Sequence, residues 1–125
     1  MSDLKTFEDL DCWKACRSFK QWCREIAARF PPTEKYGLKD QLMRAARSAT
    51  ANIAEGYGRF HYQETIQFCR HARGSCYEVL DHIIEAHDSG YIEQDLVAEC
   101  RKHLELCVKL INGYIRYLQS RKKEG

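Results

Sequence analysis

Only two prolines occur in the 125 residues, and they stand together as Pro31-Pro32. Elsewhere nothing removes a backbone donor, so long helices are permitted almost throughout. No apolar run approaches the ~20 residues that a bilayer span requires. The first residues, Met1 to Thr6, lack the apolar core of a secretory signal, so a cytoplasmic protein with no membrane role is expected. No Cys-x-x-Cys pair occurs, and no glutamate is followed three residues later by histidine. These two absences remove the tight-turn zinc motif and the di-iron motif of ferritin-like bundles. Gly56-x-Gly58 follows no strand pattern and is not followed by Gly-Lys-Ser or Gly-Lys-Thr, so it is no phosphate loop. No Ser/His/Asp set can be drawn from spacing. An enzyme is therefore not expected, nor a cofactor, a metal or a small-molecule substrate.

What is present is helical periodicity. Charged residues at 30% and hydrophobic ones at 44% are the proportions of an ordinary globular domain, and 125 residues suffice for one core. Seven cysteines would suggest a disulfide scaffold in a secreted chain, but the number is odd and their spacing gives a better account. Cys12, Cys16, Phe19, Cys23, Ile26 and Phe30 follow one another at intervals of 3 and 4, one stripe of a helix. Cys69 and Cys76, like Cys100 and Cys107, are seven apart within similar stripes. The cysteines are read as small, reduced core residues.

Four helices are expected, at about 10–29, 35–55, 62–88 and 93–122. The breaks between them are Phe30-Pro31-Pro32, with Thr33 as a cap, then Gly56-Tyr57-Gly58, and finally Ser89-Gly90. The inward stripes carry Leu38, Leu42, Ala45, Ala49 and Ile53 in the second helix, and Ile66, Cys69, Cys76, Leu80 and Ile83 in the third. The fourth presents Val97, Cys100, Leu104, Cys107, Ile111, Tyr114 and Leu118. Short breaks force successive helices to fold back, which predicts one all-α domain, an antiparallel up-down-up-down four-helix bundle. Gly74 and Gly113 interrupt helices at about 1 kcal/mol each relative to alanine, which close helix packing would explain.

Charge is segregated along the chain. From Glu78 to Glu99 there are seven acids, Glu78, Asp81, Glu85, Asp88, Glu93, Asp95 and Glu99, and no lysine or arginine. Helix one carries Lys14, Arg17, Lys20, Arg24 and Arg29, of which Lys14, Arg17 and Arg24 share a face. Helix four carries Lys102, Lys109, Arg116 and Lys123 at steps of seven, about 10 Å apart, extended by Arg121 and Lys122. Such a row suits a phosphate backbone. Heptad cations also pair with acids of a neighbouring helix or subunit, and the acidic third helix offers partners.

A second basic group, Arg44, Arg47, Arg59, Arg70 and Arg73, lies near Phe60, His61 and Tyr62, a combination that can stack on unpaired bases. Arg44 and Arg47 also fall near the alanine-rich face, where pairing with Glu55 or Glu78 across the bundle is expected. Arg44, Asn52, Glu55, Ser75 and Glu78 are accordingly read as a structural polar network rather than a catalytic site. Cys100, His103 and Cys107 could approach one face, with Cys69 or Cys76 as a further ligand, but the absence of tight Cys pairs argues against zinc there.

Several segments resemble a known family. They are Phe7-Glu8-Asp9-Leu10, Phe30-Pro31, Tyr36-Gly37-Leu38, Gln41-Leu42, Asn52-Ile53-Ala54-Glu55-Gly56 with Arg59, and Gly74-Ser75 with Glu78. The chain resembles the bacterial four helix bundle protein family, also called the ribosomal RNA intervening-sequence protein family. That resemblance implies a homopentameric helical barrel without enzymatic activity. It also implies a distant likeness to accessory proteins of diversity-generating retroelements, basic pentamers that engage nucleic acid and a reverse transcriptase. The expected function is RNA or other nucleic-acid binding through the basic faces of helices one and four. The alternative is a protein-binding scaffold that displays Trp13, Trp22 and Tyr117.

Overall fold

The computed structural model describes residues 6–124, so Met1–Lys5 and the reading made of them above fall outside it. The described residues form four α-helices and no strand: α1 Asp11–Ala27, α2 Leu38–Tyr57, α3 Tyr62–Asp88 and α4 Gln94–Glu124. Each packs on two others, α1 and α3 both against α2 and α4.

Cross-helix pairs give the directions. From Gln63–Lys122 to Arg73–Asn112 the α4 number falls as the α3 number rises. The same reversal holds between α2 and α3, from Gly56–Thr65 to Ser48–Ser75. Between α1 and α4, Phe19 stacks on His103 and Trp22 bonds Glu99, and Asp11 and Cys12 share a cleft with Lys109 and Gly113. Neighbours are therefore antiparallel, as short connections require.

The inward stripes are buried almost as their spacing predicts, and Leu42, Ile53, Ile66, Ile83 and Ile111 are fully enclosed. Leu80 and Tyr114 sit only partly buried at the core's edge, and Ile115 takes the inner place beside Tyr114. All seven cysteines are buried and free.

The helix ends depart from expectation for local reasons. α1 stops at Ala27, because the N–H groups of Arg29 and Phe30 bond to Ile26 and Ala27 in a tighter turn ahead of Pro31. A short 3-10 turn, Pro32–Glu34, then delays α2 to Leu38. Glu34, not Thr33, supplies the cap: its carboxylate accepts the Leu38 N–H at 2.8 Å and the Tyr91 hydroxyl at 2.6 Å. The chain runs helically through Gly56, and Gly58 has φ −80, so neither glycine adopts the left-handed shape. Gly56 serves another purpose: a Cβ there would lie 2.8 Å from Phe68 Cβ and 3.2 Å from the Thr65 carbonyl. Its bareness lets α3 start against α2. At Gly90 the left-handed conformation is real, with φ 81. Close packing does not explain Gly74, where an added Cβ would meet nothing within 4 Å.

Candidate nucleic-acid interface

On α4 the core-facing residues leave the opposite side to Lys102, Lys109, Arg116 and Lys123, all exposed. A strict seven-residue step drifts about 20° per heptad on a straight helix, so the row turns about 60° between its ends. Lys109 and Arg116 edge a cleft with Asp9, Leu10, Asp11, Gly113 and Tyr114. Lys14 borders the adjoining α1–α4 groove with Ala15, Ser18, His103, Leu106 and Leu110.

The other two predicted cations of α1 stand near Lys20. Arg17 and Arg24 stand close enough to Lys20 to disfavour its charge, and so does Arg47 of α2. Burial is the first cause of the lowered Lys20 pKa, and these three cations are the rest. Lys20 is tethered there by donating to Thr50 Oγ1 at 3.2 Å, while Arg17 lies over the Trp13 ring at 5.6 Å. Lys14 thus borders α4, while Arg17 and Arg24 stand near Lys20 together with Arg47 of α2. There are two basic surfaces, one outside α4 and one along the α1–α2 seam, with Lys14 between them. Spacing within α1 gave no sign of Arg47, which the fold adds and leaves exposed.

Ion pairs among the described residues include Arg44–Asp40, Arg59–Glu55, His82–Glu78 and His87–Asp88. Lys14, Arg17, Arg24, Lys102, Lys109, Arg116 and Lys123 belong to none of them. For Arg116 and Lys123, toward the C-terminal end of α4, topology supplies the reason. The acidic stretch from Glu78 to Glu99 folds into the α3–α4 hairpin at one end of the bundle, while the C-terminal bases of α4 run to the other. At that second end, Phe60 (92% exposed), His61 and Tyr62 gather with Gln63 and Lys122 in one open recess. Arg59 lies over the Phe68 ring at 4.8 Å nearby.

The expected polar network is only partly assembled. Asn52 donates to the Ser48 carbonyl and hydroxyl, at 2.8 and 2.9 Å, and Ser48 meets Ser75 at 2.8 Å. Ser48, which the sequence reading omitted, is the link between α2 and α3. Arg44, Glu55 and Glu78 lie elsewhere: each is exposed and paired with a residue four positions away, Arg44 with Asp40 and Glu78 with His82 on their own helices, and Glu55 with Arg59 just beyond the end of α2. The cross-bundle pairing expected for Arg44 or Arg47 is therefore not made. A guanidinium keeps its hydration on the outer side of α2, which costs less than burying it even in a pair.

Cys100, His103 and Cys107 are not brought together either. His103 lies flat on Phe19 at 5.4 Å and against Trp22 at 5.3 Å, and burial there lowers its pKa. Cys107 instead meets Cys16 of α1 and Cys76 of α3 in the core, the three sulfurs all within 4.8 Å of one another. Hydrogen bonds from Cys107 and Cys16 favour the Cys76 thiolate, and bonds to Cys107 and Cys76 with burial push Cys16 up. Burial raises the Cys12 and Cys100 thiols to about 12 and Cys69 to about 11. Of the aromatics assigned to a scaffold, Trp13 packs on Phe7 and Trp22 donates to Glu99, so only Tyr117 is largely exposed.

No helix of the described residues is long and apolar enough to cross a membrane. No curated protein matches the sequence. The family model described as 23S rRNA-intervening sequence protein matches residues 8–113, which takes in α1, α2, α3 and most of α4. The chain belongs to the 23S rRNA-intervening sequence protein family.

Proposed function

We propose that this chain is a non-enzymatic, cytoplasmic nucleic-acid-binding protein that engages RNA through the outer row of α4 and the α1–α2 seam, as an oligomer. The observation that carries this reading is that these cations make no close ion pair. Seven basic residues on two surfaces have no carboxylate partner among the described residues, and Lys20, Arg17, Arg24 and Arg47 crowd together. Like charges held at this separation weaken the fold slightly, and a phosphate chain would relieve them. The exposed Phe60, His61 and Tyr62 beside Lys122 add flat faces for unpaired bases.

The two surfaces lie on different sides of the bundle, so an RNA touching both must wrap the chain or bridge subunits. The family resemblance implies a pentamer, and exposed Leu106 and Tyr117 give α4 apolar area for such contacts. Oligomerisation would multiply weak contacts through effective concentration. The scaffold alternative loses support because Trp13 and Trp22 are occupied within the subunit. Light scattering coupled to size exclusion, with and without RNA at low salt, tests the whole reading. A monomer that leaves RNA unshifted would overturn it.

A further inference from the structure

We infer that Cys16, Cys76 and Cys107 form a three-sulfur site for a soft monovalent cation, copper(I), at the centre of the bundle. One thiol comes from each of α1, α3 and α4, and all are at most 1% exposed. Their sulfurs lie within 4.8 Å of one another, with Cys16 and Cys76 at 3.7 Å. A thiophilic ion about 2.3 Å from each of three sulfurs in a plane needs them about 4.0 Å apart. Small side-chain adjustments reach that spacing, because the thiols already point at a common centre.

Coordination number selects the ion. Structural zinc takes four ligands, and among the described residues the cluster holds three. The three cysteines are at most 1% exposed, so bulk solvent does not reach them, and His103 is engaged with Phe19. Soft sulfur donors in low number suit copper(I). Binding is a ligand exchange without redox: copper stays monovalent, and each protonated thiol that coordinates does so as its thiolate and releases its proton to solvent. Access needs a transient parting of α1 from α3 and α4, an opening of the kind packed bundles undergo.

The test is anaerobic titration of the reduced chain with copper(I) against a bicinchoninate chelator, with X-ray absorption on the loaded protein. One equivalent bound through three sulfurs, with no nitrogen or oxygen neighbour, is the expected result. Cys76→Ala and Cys107→Ala should each weaken binding beyond the roughly 10–100-fold that follows loss of an outer-shell partner. Cys69→Ala, which removes a thiol outside the trio, should leave affinity within about twofold, less than any loss assigned to a ligand. Failure of the wild-type chain to compete with the chelator would overturn the site. So would a two-sulfur or mixed shell, or full affinity in a helical Cys76→Ala. Should an alanine variant fail to fold, the sulfur number in the wild-type chain decides.

Discussion

Reversing two charges in the α4 row, Lys109→Glu with Arg116→Glu, removes the middle of the surface on which RNA binding is proposed. Both residues are exposed and neither is ion-paired, so the fold should tolerate the change, and circular dichroism should report unchanged helicity. Each phosphate neutralised contributes about −0.7 to the slope of log affinity against log salt for single strands and about −0.9 for duplex. Four contacts from Lys102, Lys109, Arg116 and Lys123 give slopes of about −2.8 to −3.6. Raising salt from about 50 to 200 mM should then weaken the wild-type chain about 50- to 150-fold. Losing two contacts reduces the slope by about 1.4 to 1.8, whatever further contacts the α1–α2 seam makes. Fluorescence anisotropy of a labelled RNA, titrated at four or five salt concentrations, measures both slopes. Lys39→Glu, an exposed charge on α2 away from the row, serves as the control. A double variant with the wild-type slope, or a wild-type slope shallower than about −1, would refute the reasoning.

Gly74→Ala should stabilise the chain by about 0.5–1 kcal/mol, since α3 gains helix propensity and the added methyl meets nothing. Gly56→Ala should instead destabilise by up to about 2 kcal/mol, because overpacking against Phe68 and Thr65 outweighs the same propensity gain; urea titrations of the two variants should diverge in sign. Under reducing conditions, the contribution of Cys12, Cys69 and Cys100 to stability should be constant below the ordinary thiol value of 9.0 and be lost as pH rises toward 11–12. The unfolded chain then releases protons that buried Cys12, Cys69 and Cys100 retain; an unchanged melting temperature at pH 10.5 would contradict this. His103 has the opposite sense. Burial lowers its pKa from 6.5, despite the opposing charge of Glu99, so the unfolded state takes up the proton first. Its contribution is complete above pH 6.5 and lost as pH falls below that, and His103→Gln should flatten this part of the pH profile.

Helix periods of 3 and 4 determine most of the architecture on their own, since an apolar stripe has to face inward whatever else happens. That is why the stripes of α1 and α2, and the Tyr62–Asp88 span of α3, were legible without coordinates. The acid-only run from Glu78 to Glu99 and the heptad cations of α4 were equally plain as local facts. Helix ends were less so, because they depend on partners distant in sequence: Glu34 caps α2 while held by Tyr91, and Gly56 answers to Phe68. The same limit governs the site. Spacing places residues on a face of one helix but says nothing of which neighbour turns toward it. Only the assembled bundle set Arg47 beside Arg17, Lys20 and Arg24, joined Asn52 to Ser75 through Ser48, and sent Arg44 outward to Asp40. It also drew Cys107 away from Cys100 and His103 toward Cys16 and Cys76. The relative rotation of packed helices settles such meetings, and that rotation is fixed by the fit of whole surfaces, which no single helix period contains.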